Sequence, residues 1–147
     1  MKTISLLILI VVVLFSCIEK KPVANPQVLL DVDIAFSDYS VKHGISKSFI
    51  EFADDSLVLL KDKHMPIVGK NSLIESYVGQ SDSGVVLTWN PAKGVIAESG
   101  ELGYTYGFWM FVAQKDTSRG TYLTVWKKNR AGQWKYIADT GNQGLKE

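Results

Sequence analysis

The sequence predicts an α+β domain in which helices come first and an antiparallel sheet follows. From residue 25 to about residue 79, apolar residues recur at three- and four-residue spacing, which is typical of amphipathic helices. From residue 84 to residue 139 the pattern changes to apolar runs separated by short polar turns, which is typical of strands. Because helices and strands are largely gathered in different halves of the chain, the order favours an α+β fold.

Residues at the ends of the apolar stripes predict three helices in the first half of the chain. The asparagine and proline at 25–26 predict the start of a first helix of about 17 residues, which ends at Gly44. We expect Ser46 to cap a second, shorter helix, and Ser72 to form a capping box with Glu75 in a third. The side chains expected to form the inner side of these helices are Leu29, Val32, Phe36, Tyr39, Phe49, Ile50, Leu73, Ile74 and Tyr77.

The predicted strands include a long one that is apolar on both faces. Tyr104, Tyr106 and Phe108 lie on one face of this strand, and Trp109 and Phe111 lie on the other. An antiparallel sheet with one face in water alternates polar and apolar residues. We therefore expect the second face to be covered too, by a partner subunit or by curvature of the sheet around an interior. The predicted strands cover residues 56–60, 85–89, 95–98, 103–114, 121–128 and 134–139, with Asn90 and Pro91 breaking the run between the second and the third.

Composition and charge exclude several classes of protein. The chain has 147 residues, of which 46% are hydrophobic and 21% charged, and this is typical of a single globular domain. It carries 16 basic and 15 acidic residues, and loss of Lys2 with a signal peptide would balance the two. Such a balance argues against nucleic acid as a partner. A single cysteine excludes an internal disulfide.

The N-terminus has the pattern of a bacterial lipoprotein signal peptide. Lys2 precedes an apolar run at 4–15, which spans about 18 Å as a helix and is too short for a hydrocarbon core of ~30 Å. The run ends in LFSC (14–17), which resembles the lipobox whose cysteine receives the lipid. We expect residues 1–16 to be removed, Cys17 to be lipidated, residues 17–24 to form a tether and residues 25–147 to fold. The domain would then lie in the periplasm or outside the cell, anchored to a bacterial membrane.

Four segments in the folded part resemble a known family. They read GKNSLI (69–74), SGELGYTYG (99–107), GTYLTVWKK (120–128) and GQWK (132–135). In this order they are similar to the bacterial group called domain of unknown function 4440, within the nuclear-transport-factor-2-like (SnoaL-like, ketosteroid-isomerase-like) superfamily. The resemblance spans roughly residues 28–142.

This resemblance implies a cone-shaped fold but not one activity. It implies a strongly curved, mixed or antiparallel sheet wrapped around the N-terminal helices, with a cavity open at one end. It also implies dimerisation through the outer face of the sheet. The superfamily includes ketosteroid isomerase, scytalone dehydratase and polyketide cyclases, as well as binding and scaffold domains, so the activity has to be argued from the site.

Asp139 and His64 are the candidate catalytic residues. A cone-fold isomerase needs a carboxylate base beside an apolar slot and donors for the enolate oxygen. Asp139 is close to the end of the last predicted strand, on the same side as Ile137, and His64 lies between the first strand and the third helix. The sequence favours a non-catalytic role for each residue. Asp139 would cap a turn with Thr140 and Asn142, and His64 would be an exposed loop residue.

The sequence predicts an apolar ligand pocket lined by aromatic side chains, and no metal or cofactor site. With two histidines and no histidine–carboxylate cluster, the sequence argues against a metal site, and we expect no cofactor. The sequence favours a homodimeric lipoprotein that binds a small, mostly apolar ligand without converting it. A cofactor-free isomerase or lyase and a non-catalytic dimeric scaffold are the alternatives. The candidate ligand-binding residues, each of which could instead fill the core, are Tyr39, Trp89, Tyr104, Trp109, Trp126 and Tyr136.

Overall fold

The computed structural model describes residues 25–144, and within this range three helices and six strands are formed. The α+β prediction is confirmed. The predicted signal peptide, the lipidation residue Cys17 and the tether lie outside the described residues. In chain order the elements are α1 (Gln27–His43), α2 (Ile45–Phe52), β1 (Ala53–Leu60), β2 (Ile67–Val68), α3 (Lys70–Tyr77), β3 (Val85–Ile96), β4 (Leu102–Ala113), β5 (Asp116–Lys128) and β6 (Trp134–Gln143).

The strands of the described range form one curved, mixed sheet in the order β2-β1-β6-β5-β4-β3. β1 and β6 are parallel, whereas every other neighbouring pair is antiparallel. The last strand therefore lies between the first strand and β5. Its register places Asp139 opposite Leu59 of β1 on one side and opposite Thr124 of β5 on the other.

Phe36 on α1 is the centre of an aromatic core between the helices and the sheet. Its ring centroid lies 5.0 Å from that of Phe49, 4.8 Å from Phe52 and 4.5 Å from Trp89. The ring of Tyr136 on β6 stacks on Phe36 at 5.6 Å. Such ring pairs contribute packing energy beyond the burial of their area. The core thus fixes α1 and α2 against the inner face of the sheet.

The helix ends differ from the prediction at two serines. α2 begins at Ile45, so Ser46 lies within its first turn, and its N–H donates to Oδ2 of Asp82 at 3.0 Å. The cap is thus supplied by the loop at 79–84, far away in the sequence. Ser72 lies inside α3, which makes no side-chain hydrogen bond at its N-cap, so the predicted capping box is wrong. Ile74, predicted to face inward, is exposed.

The break predicted at Asn90 and Pro91 is wrong. Residues on both sides belong to β3, and the pairing with β4 shifts by one residue between Pro91 and Lys93. β3 is an edge strand of the sheet. A proline is tolerated at the edge of a sheet and at a bulge because no ladder hydrogen bond needs its missing N–H.

Candidate functional site

A cavity of about 500 Å³ lies between the inner face of the sheet, α1, α2 and two loops. Exposed polar residues of these loops, among them Asp62 and Gln80, also line it. Three polar side chains, Lys61, Thr124 and Asp139, lie on its β1–β6–β5 side. A cavity of this size, largely apolar and with a few polar groups, is typical of a site for a small molecule. The aromatic part of the lining is Phe36, Phe49, Tyr77, Trp89, Trp109, Phe111 and Tyr122.

Asp139 places a carboxyl group inside this cavity. The Thr124 hydroxyl, directly across the β5–β6 ladder, donates to its Oδ2 at 2.5 Å. Burial, together with the charge of Asp33, raises the pKa of the Asp139 carboxyl to about 7. The Thr124 hydrogen bond and the charge of Lys61 act in the opposite direction. A carboxyl with such a pKa can take up or release a proton near neutral pH.

Lys61 places an amine at the same end of the cavity. It follows β1 directly and lies two residues beyond Leu59, which is the cross-strand neighbour of Asp139. Because strand side chains alternate, Lys61 continues the inner side of β1. Its Nζ lies 4.7 Å from the ring centroid of Tyr77. Burial lowers the pKa of Lys61, and the negative charge of Asp139 opposes this shift.

Asp33 is a buried carboxylate that the sequence analysis did not single out. It lies on the inner stripe of α1 and is completely buried. The indole Nε1 of Trp89 donates to its Oδ1, and the hydroxyl of Tyr122 donates to its Oδ2, both at 2.7 Å. Burial raises the pKa of Asp33, whereas hydrogen bonds from Tyr122, Thr105 and Trp89 lower it. Since Trp89 and Tyr122 both line the cavity, Asp33 fixes two of its walls.

Glycine on β5 makes room for another wall of the cavity. The indole of Trp109 lies so close to Gly120 that a Cβ atom there would be 2.5 Å from its ring. The Trp109 Nε1 donates to the carbonyl of Thr121 at 3.1 Å. The hydrogen bond fixes the ring against β5, and the missing side chain of Gly120 leaves the space that the ring occupies.

The structure separates the two candidate catalytic residues. Asp139 lines the cavity, and its predicted alternative as the cap of a turn is wrong because Thr140 and Asn142 lie with it inside β6. His64 is exposed in the loop between β1 and β2, where its Nδ1 lies 2.7 Å from the carbonyl of Asp62. It does not line the cavity, so the structure brings no second candidate to Asp139.

Two of the six candidate ligand-binding residues, Trp89 and Trp109, line the cavity. Trp126 and Tyr136 are fully buried and fill the core instead. Tyr104 is exposed on the opposite face of the sheet, and the ring of Tyr39 packs at a tilt against that of His43 on α1, with centroids 4.1 Å apart. Four of the six candidates thus lie outside the cavity lining. Tyr104 is on the outer face of its strand, whereas Trp126 and Tyr136 point inward but are covered by other core side chains. Tyr39 lies on α1 rather than on the sheet.

The described range contains neither a metal-binding cluster nor a membrane-spanning helix. Between residues 25 and 144 no cluster of three or more histidine, cysteine or acidic side chains could hold a metal ion. Over the same residues, no helix has the length and the hydropathy needed to cross a membrane.

Solved structures similar to this chain share one fold. A ketosteroid isomerase-like protein from Erwinia carotovora matches with a TM-score of 0.63 at 13% identity, over 79% of this chain and 94% of that one. An NTF-2 like protein of unknown function from Shewanella oneidensis matches with a TM-score of 0.65 at 14% identity, over 80% and 98%. A domain of unknown function with a cystatin-like fold from Nostoc punctiforme matches with 0.66 at 12%, over 82% and 78%.

At these identities the likeness shows the fold alone. The chain has the nuclear-transport-factor-2-like, cystatin-like cone fold, as the sequence predicted. No family model matches the sequence, and no curated protein sequence matches it. The activity therefore has to be argued from the cavity.

Proposed function

We propose that the cone domain binds a small, mostly apolar molecule in its cavity. The observation that carries this proposal is an open space of about 500 Å³ with mainly aromatic and aliphatic walls. Trp89, Trp109 and Tyr122 are each held in place by a hydrogen bond, so the walls are largely formed before a ligand enters. A preformed apolar pocket favours binding because its side chains lose little conformational entropy when the ligand enters. The same open space argues against a purely structural scaffold.

Native mass spectrometry of the full chain tests this proposal by detecting a small molecule that co-purifies. Leu87→Trp adds bulk on the lining of the cavity, and Val41→Trp adds comparable bulk on the exposed side of α1, away from the cavity and from the outer face of the sheet. We expect the first variant to lose the bound molecule and the second to keep it. Equal occupancy of the two variants would place the molecule outside the cavity and contradict the proposal.

A second candidate function is proton transfer catalysed without a cofactor, and it is favoured by Asp139. In its ionised form this carboxylate can take a proton from a carbon next to a carbonyl group. The electron pair of that C–H bond then moves toward the carbonyl oxygen, giving an enolate. Tyr77 lines the same cavity, and burial raises its pKa, so its hydroxyl stays protonated and is the candidate donor to this oxygen. Return of the proton to another carbon completes an isomerisation, whereas loss of a leaving group completes an elimination.

The elimination of nitrobenzisoxazole tests the base directly, because it needs only a carboxylate in an apolar site. The ring carbon loses its proton to the base, the N–O bond breaks and a coloured phenolate forms. We expect the rate to rise with pH through about 7, in line with the pKa of Asp139. Asp139→Asn should abolish this rate, while Asp38→Asn, on the exposed side of α1, should retain it. A rate that survives in Asp139→Asn would rule out this second function.

We also propose that the chain is a lipoprotein of the bacterial cell envelope and a member of the domain of unknown function 4440 group. The support is the signal-peptide pattern, the lipobox-like LFSC at 14–17 and the four segments that resemble that group. Mass spectrometry of the mature N-terminus is expected to find a diacylated or triacylated Cys17. An unmodified Cys17 would refute the anchoring, and Cys17→Ser provides the matched unanchored variant.

Finally, we propose that the domain forms a homodimer through the outer apolar face of the sheet. Along β4, the residues that point away from the cavity are large and apolar, and they are partly exposed in the single chain. A contiguous apolar patch of this kind is typical of an interface. This outer apolar face consists of Val86, Tyr104, Tyr106, Phe108, Met110 and Leu123.

A further inference from the structure

We infer that the ligand of the cavity is a small apolar carboxylic acid, bound with its carboxylate between the Lys61 ammonium and the protonated Asp139 carboxyl. This inference rests on the proposed binding function and adds the chemistry of the group that the ligand presents. It does not depend on the proton-transfer candidate.

Lys61 is a half-buried cation that makes no direct ion pair in the described part of the chain, and the carboxylate whose charge acts on it is that of Asp139. Its Nζ faces the ring of Tyr77, and between residues 25 and 144 no carboxylate lies within 4.0 Å of it. The ion pair found in this range joins Lys135 and Glu51 on the surface. A partly desolvated ammonium is costly without an anion nearby. An anionic group in the cavity would compensate for this cost.

Asp139 provides the second contact for a carboxylate. The hydrogen bond from Thr124 occupies its Oδ2, which leaves Oδ1 for a ligand. Two carboxyl groups that lie together cannot both be ionised at low cost, so they share a proton. Because the pKa of Asp139 already lies at about 7, little free energy is needed to keep this proton in place at neutral pH.

The other titratable groups around Asp139 do not compete for this role. The tyrosines remain neutral because burial raises the pKa of each. Both carboxylate oxygens of Asp33 already accept hydrogen bonds, from Trp89 and from Tyr122, so Asp33 is not free to contact a ligand. Lys61 is thus the cation that acts on Asp139. The groups that face Asp139 are Asp33 from α1, Tyr77 from α3, Tyr122 from β5, Tyr136 from β6 and Lys61 after β1.

Other head groups fit this end of the cavity less well. A protonated amine would pair with Asp139 but would be repelled by Lys61. A neutral apolar molecule would leave the ammonium without an anion in direct contact. A carboxylate satisfies both side chains at once, and the aromatic walls accommodate a ring system behind it.

Calorimetric titration of the full chain with naphthylacetate and with its neutral amide, naphthylacetamide, tests this inference. We expect the carboxylate to bind about tenfold more tightly, as one charge-assisted contact implies. Titration at pH 8 in buffers of different ionisation enthalpy measures the number of protons taken up on binding. We expect up to about one proton per carboxylate bound. The amide should bind without proton uptake.

Variants test whether Lys61 gives the preference for the carboxylate and whether Asp139 takes up the proton. Lys61→Met should remove the preference for the carboxylate while the amide still binds, which also shows that the variant is folded. Lys63→Met, an exposed lysine of the same loop, should retain the preference. Asp139→Asn should bind the carboxylate without proton uptake.

Three outcomes would overturn the carboxylate inference while leaving the binding function intact: equal affinity for the two ligands, tighter binding of naphthylmethylamine, or an equal loss of both ligands in Lys61→Met. A lack of binding by every one of these aromatic compounds would instead contradict the proposed function itself.

Discussion

The hydroxyl of Tyr122 on β5 donates a 2.7 Å hydrogen bond to Oδ2 of Asp33 on α1. The second oxygen of the same carboxylate accepts the indole N–H of Trp89 on β3. The buried carboxylate of Asp33 therefore fixes the positions of Trp89 and Tyr122, which form two walls of the cavity. Its loss would affect both the stability of the fold and the shape of the site.

Replacement of Asp33 is expected to destabilise the protein in a graded manner. Asp33→Ala leaves the buried donors of Trp89 and Tyr122 without an acceptor, at about 1–3 kcal/mol for each donor. Asp33→Asn retains one acceptor oxygen and should cost roughly half as much. Asp38→Ala, on the exposed side of the same helix, serves as the control. Urea denaturation measures the three free energies of unfolding, and equal values for Asp33→Ala and Asp38→Ala would contradict the prediction.

The stability of the fold should fall as the pH rises from about 4 to about 7. The Asp139 carboxyl has an ordinary pKa of 3.8 and one of about 7 in the folded chain, so between these values the folded state binds the proton and the unfolded state does not. The proton therefore stabilises the folded state below this window, and the contribution is lost as pH rises through it.

Asp139→Asn removes this pH dependence. At about 1.4 kcal/mol per pKa unit, the free energies of unfolding of wild type and variant should diverge by roughly 3–4 kcal/mol across the window, with the variant more stable at pH 7. The burial of Asp33, which also raises its pKa, is common to both proteins, so the comparison isolates the Asp139 carboxyl and its electrostatic coupling to Asp33. Thermal unfolding followed at several pH values measures the difference, and parallel curves would show that Asp139 is not titrating in this range.

Thr124→Val is expected to raise the pKa of Asp139 above its value of about 7. The change removes the hydroxyl that donates to Oδ2 and keeps the shape of the side chain, so the ionised carboxylate loses a stabilising partner. Carbon-13 NMR of the Asp139 carboxyl gives the midpoint directly. Thr117→Val, on an exposed position of β5, should leave the midpoint where it is in wild type.

A charge on the outer apolar face should separate the proposed dimer. Phe108 is 54% exposed in the single chain and lies in the middle of that face. Phe108→Asp would bury an unpaired carboxylate in the interface, which is costly. Sedimentation velocity of the full chain should show a monomer for this variant and a dimer for Met65→Asp, a change on an exposed loop. A monomeric wild type at micromolar concentration would remove the dimer proposal.

The element types could be predicted from the sequence because they depend on local periodicity. The stripe that contains Leu29 and Phe36 predicts α1, and the alternation in β4 and β5 predicts those strands. Pro91 misled the prediction because the cost of a proline depends on whether its strand is at an edge, and strand order is a tertiary property.

The site was harder to predict because it depends on which strand lies beside which. Asp139 was a candidate, but its burial follows from its position between β1 and β5. Lys61 joins it through the parallel pairing of β1 and β6, which no local pattern indicates. Asp33 did leave a signal, since a carboxylate on the same helical stripe as Leu29 and Phe36 must be buried with them.

The position of β6 has a consequence for how the protein matures. Among the strands of the described range it is the last to be synthesised, yet it enters the sheet between two others and contributes the cavity's carboxyl. A nascent chain that ends before it would leave β1 and β5 with open edges, a state that invites aggregation. The proposed binding site is therefore completed late, when the final strand has been delivered, and a chaperone that shields unpaired edges would act before that moment.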